Sequence, residues 1–489
     1  MRTSETTPVV VGVAQVEQYV DDPAAAEEPL DLMIRATRAA ALDAGAPALL
    51  TGASAVRVIR GMWPYEKPAR AVAEAIGNPG AETGVSFWGG TVVHHLLRTS
   101  ALEIQSGTQR IVILTGAECG DTQAKARRAG VVLQWREAPG SPDRTIGTEL
   151  RMRHRAEASR GIVNPVQMYP IFENAIRHAR GEGLDAHLER ISRLWAGFSL
   201  VAAENPHAWM REPKGAVQIR TPGPDNRPVS VPYPKLMNSN EKVDQGAALI
   251  LTSTEVARRL GIPPSKWIFP WVSTEAHDTH AVSHRDNLHT SPGLRIAGNR
   301  CIEMAGLDVD DIQHMDIYSC FPSAVQVATA ELGIDEERPL TVTGGMAFAG
   351  GPLNNYAMHG IARMTEVLRG TPGEVGLVTG NGGFLTKHAF CLFASERPAR
   401  AFRHETPQDR VDAMPTRELA ESAAGPVEIE SYTVMFGRGG PDIGLAACRL
   451  PDGRRAWANT RDAEVLGAMV TEEFCGRQAR IDAGGTVVF

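Results

Sequence analysis

Two short segments carry the side chains best suited to chemistry. Tyr318-Ser319-Cys320-Phe321 follows the apolar run Met315-Asp316-Ile317. That placement sets Tyr318 at the carboxyl edge of a sheet, where strand ends and helix N-termini meet and ligands bind in layered α/β folds. Tyr318 is there either a phenol that moves a proton or a ring that fills space. Cys320, two residues on, is either a thiol at the cleft or a plain buried thiol. The second segment, Lys387-His388, follows Asn381-Gly382-Gly383 between two expected strands. A histidine titrates near neutrality, so His388 is a candidate proton carrier, with a hairpin histidine as the alternative. His277-Asp278-Thr279-His280 with His284 and His289 is dense in imidazole, but its spacing matches no zinc pattern and it lacks cysteine. A loop of solvent-exposed imidazoles is expected, and no metal. Cys119, Cys301, Cys320, Cys391, Cys448 and Cys475 are scattered without a C-x-x-C pair, the usage of reduced thiols. Cys119, His94, His95 and His359 read as packing residues.

The elements around these segments alternate strand and helix. Val9 to Val13, Ala55 to Ile59 and Ile111 to Leu114 are short apolar runs rich in β-branched residues. Helices from Pro29 to Ala44 and from Thr91 to Gln105 lie between them. The pattern changes between Gly120 and Asn240, where helices sit among proline-rich stretches; this span reads as an inserted lobe. Alternation resumes at Ala247. Four features of the first part recur there in order: a Pro-Leu or Pro-Gly-Leu helix start, an Ala-Gly helix end, a double-glycine turn before a helix, and a strand ending Thr-Gly. A duplicated fold is the expectation. Residues 397–426 are polar and proline-bearing and read as a linker. Residues 427–489 read as short strands, with a five-stranded barrel of oligonucleotide/oligosaccharide-binding shape expected. The boundaries are 1–119, 120–240, 241–396, 397–426 and 427–489.

Composition bounds the partners. Lys plus Arg is 50 against Asp plus Glu at 57, a net charge of −7, so no overall basic field exists for nucleic acid or an anionic membrane. No apolar run reaches the roughly 18–20 residues of a membrane span. The first residues lack the build of a secretory signal, so a cytoplasmic protein is expected.

Three segments resemble the thiolase superfamily. They are Ile104-Gln105-Ser106-Gly107 with the strand Ile111 to Glu118, Asp244-Gln245-Gly246-Ala247-Ala248, and Tyr318-Ser319-Cys320-Phe321. Their order and spacing extend the likeness from about Pro8 to Arg400, and the extra C-terminal domain narrows it to thiolase-like protein type 1. The resemblance implies a layered α/β/α/β/α fold with an inserted loop domain. It also implies a CoA thioester as ligand, no other cofactor, and a homodimer or a monomer. The family's catalytic residues are missing. Gly90 stands where the nucleophilic cysteine belongs, Gly351 where the G-H-P histidine belongs, and Tyr318 at the fourth motif; Thr379 to Gly382 contains no cysteine. A glycine forms no acyl-enzyme. The leading expectation is therefore a protein that binds acyl-CoA-type thioesters and is an acyltransferase by resemblance only. Gly90, Thr91, Gly350, Gly351 and Asn381 would hold the ligand, and Tyr318, His388 and Cys320 would serve any chemistry. The alternatives are a thiolase-fold retro-aldolase and a non-catalytic scaffold.

Overall fold

The computed structural model describes residues 6–150 and 152–489. A first sheet is built from β1 (Pro8–Glu17), β2 (Ala55–Val58), β3 (Glu82–Ser86), β4 (Ile111–Cys119), β5 (Arg144–Ile146) and β6 (Asp244–Ser253), in the order β1-β6-β4-β2-β3-β5. A second contains β7 (Phe269–His277), β8 (His314–Asp316), β9 (Val375–Gly382), β10 (Lys387–Ala394) and β11 (Arg403–Glu405), in the order β11-β7-β10-β9-β8. Both are mixed sheets. The antiparallel β1–β6–β4 ladder of the first is matched by β7–β10–β9 in the second.

Layering follows from burial on both faces. The helices Val92–Ser106 and Tyr356–Gly370 lie between the sheets, and Leu96, Leu97, Met358 and Ile361 share one core with Val10, Leu114, Val378 and Cys391. The helix Pro29–Asp43 covers the outer face of the first sheet. Pro292–Ala305 and Pro322–Leu332 cover the outer face of the second. Strands buried on both sides read as continuous apolar runs, which is why they were legible by composition.

The inserted span is less separate than its sequence implies. Three of its residues form β5, which pairs in parallel with β3 at Gly84–Ser86 and becomes the edge strand of the first sheet. Asp143 reinforces the pairing by accepting from the Thr83 backbone N–H and hydroxyl at 2.9 Å each. The remainder is helical, chiefly Pro165–Ala179 and Leu184–Glu204. These two helices are locked by fully buried His187, whose ring nitrogens contact Glu173 at 2.7 Å and Glu182 at 2.6 Å.

Two expectations for the C-terminal quarter need correction. Residues 397–426 are not a free tether: β11 joins the second sheet, Gln408–Asp412 is helical, and Thr416 and Leu419 bridge to Arg285 and Arg455. Beyond them stand β12 (Gly425–Gly437), β13 (Gly440–Arg449), β14 (Arg455–Thr460), β15 (Gln478–Ile481) and β16 (Val487–Val488). They form a five-stranded antiparallel sheet in the order β14-β13-β12-β15-β16. Its outer strands meet at the single bridge Asn459–Thr486, with no continuous closing ladder among the described residues. The helix Ala463–Thr471 covers one face. From the other face Leu445, Ala447 and Trp457 enter the same core as the inserted helices and the second half. No helix among the described residues is long and apolar enough to cross a membrane.

Candidate active site

Loops from both halves and from the inserted lobe enclose a cavity of about 620 Å³. The first half contributes Gly89 and Gly90, just ahead of the helix Val92–Ser106. The second half contributes Tyr318 and Cys320 from the turn after β8, and Gly351 and Asn354 from the turn before Tyr356–Gly370. The loop before β6 adds Asn238, Ser239 and Glu241, and the lobe adds Arg153 and Tyr169. Asn354 stitches the halves together. Its Oδ1 accepts from the Gly89 N–H at 3.1 Å and its Nδ2 donates to the Arg60 carbonyl at 2.8 Å.

Each of two glycines faces a hydroxyl. A β-carbon built on Gly90 would lie 2.0 Å from the Asn381 carbonyl oxygen and 2.6 Å from the Tyr318 hydroxyl. A β-carbon on Gly351 would lie 2.2 Å from Ser239 Oγ. Real contacts are never this short, so neither position has room for a side chain. Tyr318 is held by its backbone N–H, which donates to Thr379 Oγ1 at 2.8 Å, and by an edge-on contact with Tyr356 at 5.4 Å. Its own hydroxyl has no hydrogen-bond partner among the described residues. Burial, with Cys320 and Glu241 nearby, raises the phenol far above its ordinary value, so it stays protonated and keeps a hydrogen to donate. Ser239 Oγ is likewise buried without a partner. Gly90 and Thr91 have amides without a protein acceptor among the described residues.

The remaining predicted residues divide. Cys320 lines the cavity, but burial pushes its thiol up to about 12, and Asn381 Nδ2 donates to its sulfur at 3.7 Å. Such a thiol is neutral at physiological pH and is neither nucleophile nor base. Asn381 acts behind the wall, bonding Cys320 and the Tyr169 hydroxyl at 2.9 Å. Gly350 turns toward Gln245, and the Gly351 N–H donates to the Asn240 carbonyl at 2.9 Å, so this turn offers no free amide pair for a thioester oxygen. Thr91 lines a different cavity, and so does His388. His388 is buried, with Nε2 3.0 Å from both Asp278 Oδ2 and Ser291 Oγ. One ring nitrogen facing both partners is not a relay triad, in which the two nitrogens serve the acid and the nucleophile separately. Ser291 instead caps the helix Pro292–Ala305, and Asp278 accepts from the Gly293 N–H at 2.8 Å. His388 is therefore a structural partner of that cap and not a companion of Tyr318. Asp278, in the loop just after β7, is buried and held down at about 2 mainly by His388 and Arg285.

Sequence reading missed Glu241. It sits in the polar run Asn238-Ser239-Asn240-Glu241-Lys242, which matches no motif, and only the folded loop brings it beside Tyr318. Its carboxylate has no hydrogen bond or ion pair among the described residues; the residue is exposed on its outer side, and partial loss of water raises its carboxyl above the ordinary value. Arg153 is the other charged residue on this wall among those described.

Residues 407–486 match the family described as thiolase-like protein type 1 additional C-terminal domain. Residues 274–337 match the thiolase C-terminal domain-like family. The crystal structure of a monomeric SCP2-thiolase-like protein type 1 from Mycobacterium smegmatis superposes with a TM-score of 0.85, covering 99% of both chains at 28% identity. This chain resembles thiolase-like protein type 1 from end to end. Among curated relatives, a steroid side-chain-cleaving aldolase of Thermomonospora curvata is 27% identical over 248 residues, 46% of this chain and 61% of that protein. An acetyl-CoA acetyltransferase of Schizosaccharomyces pombe is 26% identical over 149 residues, 30% of this chain and 35% of that protein. The chain thus spans less than two thirds of either relative.

Two predictions arise from this thiolase-like site. In Gly90→Cys the new side chain meets a backbone carbonyl and the Tyr318 ring, and overpacking of this kind costs about 1–3 kcal/mol. Urea unfolding should show that loss, and intact-mass measurement after mixing with acetyl-CoA should show no adduct on either the variant or the parent. The second concerns Glu118, buried at the end of β4, which accepts from the Met62 N–H at 3.0 Å. Burial, helped by Glu241, raises its carboxyl to about 8 from 4.5. The folded state keeps a proton that the unfolded chain has already lost, so stability falls as pH rises through that window. Glu118→Gln removes the ionisation and should become more stable than the parent by up to about 5 kcal/mol above about pH 8, with little difference near pH 4. Urea midpoints at the two pH values check it.

Proposed function

We propose that the chain cleaves a carbon–carbon bond of a β-hydroxyacyl thioester by a retro-aldol step, without an acyl-enzyme. The observation that carries this reading is the unpartnered Tyr318 hydroxyl standing over Gly90, where an acyl-transfer enzyme of this fold would need a nucleophile. Glu241, as carboxylate, takes the proton of the β-hydroxyl. The electrons of the Cα–Cβ bond pass into the thioester, whose oxygen becomes enolate in character. Tyr318, pinned in its protonated form, and the Gly90 amide donate hydrogen bonds to that oxygen. Glu241 returns the proton to the α-carbon, leaving a ketone or aldehyde and a shortened thioester. The steroid side-chain-cleaving aldolase among the relatives supports this reaction class.

The acyltransferase expectation loses ground for a physical reason: the cavity has no ionised thiol, since Cys320 is held neutral. A CoA thioester remains the proposed ligand, with Arg153 as the cation at the wall. We read the chain as a monomer, a reading supported by the monomeric SCP2-thiolase-like structure from Mycobacterium smegmatis. Incubation with β-hydroxyacyl-CoAs tests the function. Release of a carbonyl product with CoA still acylated is the expected result. Free CoA would indicate hydrolysis or transfer, and binding without turnover would indicate a scaffold.

A further inference from the structure

A second cavity of about 270 Å³ lies on the far side of the Trp88-Gly89-Gly90 loop. Its walls include Phe87, Trp88, Val92 and Leu150, and Lys387 lines it from the first residue of β10. The Lys387 ammonium donates to the Trp88 carbonyl at 3.2 Å. It has no carboxylate within ion-pair distance among the described residues. A β-carbon on Gly89 would sit 2.6 Å from Lys387 Nζ and one on Gly382 would sit 3.0 Å from Cε, so these two glycines make the slot through which the amine reaches.

The placement is unlike that of the other lysines. The chain has seven, against 43 arginines, so positive charge is supplied almost entirely by guanidinium. Lys67, Lys125, Lys214 and Lys266 are each paired with an aspartate or glutamate. Lys235 and Lys242 are exposed. Lys387 alone is both unpaired and partly buried. Glu149 is the acid whose charge bears most on Lys387, though not within ion-pair distance, and Glu275, which lines the cavity, is already engaged by Arg98 and His95. Partial burial lowers the Lys387 amine below its ordinary value, which enlarges the uncharged, nucleophilic fraction at neutral pH.

We propose that Lys387 is a carbonyl-capturing amine and that the second cavity binds small aldehydes or ketones. The amine nitrogen adds to the carbonyl carbon to give a carbinolamine. Loss of the former carbonyl oxygen as water leaves an imine, protonated at nitrogen, on Nζ. Hydrolysis reverses both steps, so no oxidant or reductant is needed. The apolar part of the wall, Phe87, Trp88, Val92 and Leu150, would take a short carbon tail beside polar neighbours such as His95, His277 and Gln408, and the Trp88 carbonyl holds the amine in place before attack. This site is independent of the retro-aldol reading, although a carbonyl product formed one loop away would be a natural ligand.

The experiment uses the full chain, propanal and sodium cyanoborohydride, which reduces the imine to a stable secondary amine. Peptide mass mapping then reports the modified fraction at each of the seven lysines. At limiting propanal and neutral pH, Lys387 should be modified at least several-fold more than Lys235 or Lys242. Lys387→Arg, which keeps the charge and the reach, should lose that product while its circular dichroism stays unchanged. Equal or lower modification of Lys387 than of the exposed lysines would overturn the proposal, as would preferential modification that persists when the protein is unfolded in urea.

Discussion

Tyr318→Phe should lower turnover of a β-hydroxyacyl thioester by about 100-fold while ligand affinity changes little. The substitution keeps the ring against Tyr356 and removes only the hydroxyl, which bonds to no other protein group among the described residues. Folding therefore loses no internal hydrogen bond, and the effect falls on the step in which charge develops on the thioester oxygen. Glu241→Gln should reduce turnover by a similar factor and, in addition, abolish the acidic limb of the pH–rate profile, because the amide cannot accept the proton. A Tyr318→Phe enzyme with unchanged turnover would reduce that tyrosine to packing. Retained activity in Glu241→Gln would remove the proposed base and leave the reaction class standing.

The second large effect is structural. Arg455→Met should cost about 3–5 kcal/mol, the range for breaking one side of a buried charge pair. Arg455 is fully buried and bonds both carboxylate oxygens of Glu430 at 2.7 Å. It also donates to the carbonyls of Val282 at 3.2 Å and Ser283 at 3.1 Å, in the second half of the layered fold. Removing the guanidinium strands a carboxylate and several carbonyls at the joint between the C-terminal sheet and the rest. Urea unfolding of the variant measures the loss. For the same reason a chain ending near Arg400 should be recovered poorly or aggregated. It would bare the surface that Leu445, Ala447 and Trp457 cover, and it would take Ser283 Oγ from the Trp457 indole, 2.9 Å away. A soluble, monodisperse truncated chain with native circular dichroism would contradict this.

These two cases show what a linear reading can and cannot reach. The layered halves were legible because strands buried on both faces are written as local apolar runs, such as Val9 to Val13 and Ala247 to Leu251. The resemblance sets Gly90 where a thiolase nucleophile would stand, an expectation that needs only the missing side chain in the sequence. Tyr318 was found because it ends a strand. His388 could be picked out by residue type alone, whereas its partners Asp278 and Ser291, which place it in another cavity from Tyr318, lie 110 and 97 residues away in the chain. Glu241 was missed for the converse reason: a lone acid in a polar loop has no local signature.

The C-terminal quarter makes the same division. Period-two alternation at Val427 to Val434 announced strands, and residues 397–426 read as a tether because they are polar and proline-bearing. Whether such a segment hangs free depends on which distant backbone groups accept it, and here β7 takes Arg403–Glu405 as an additional strand. By itself the sequence determined the α/β layering, the glycine at position 90 and the position of Tyr318 at a sheet edge, all written in short-range pattern. Only the tertiary structure decided that Tyr318 and Ser239 occupy the space above two glycines, that Glu241 shares their cavity, that His388 does not, and that the last domain is locked by Arg455. Each of those depends on contacts between segments far apart in the chain, and such contacts exist only once the layers have packed.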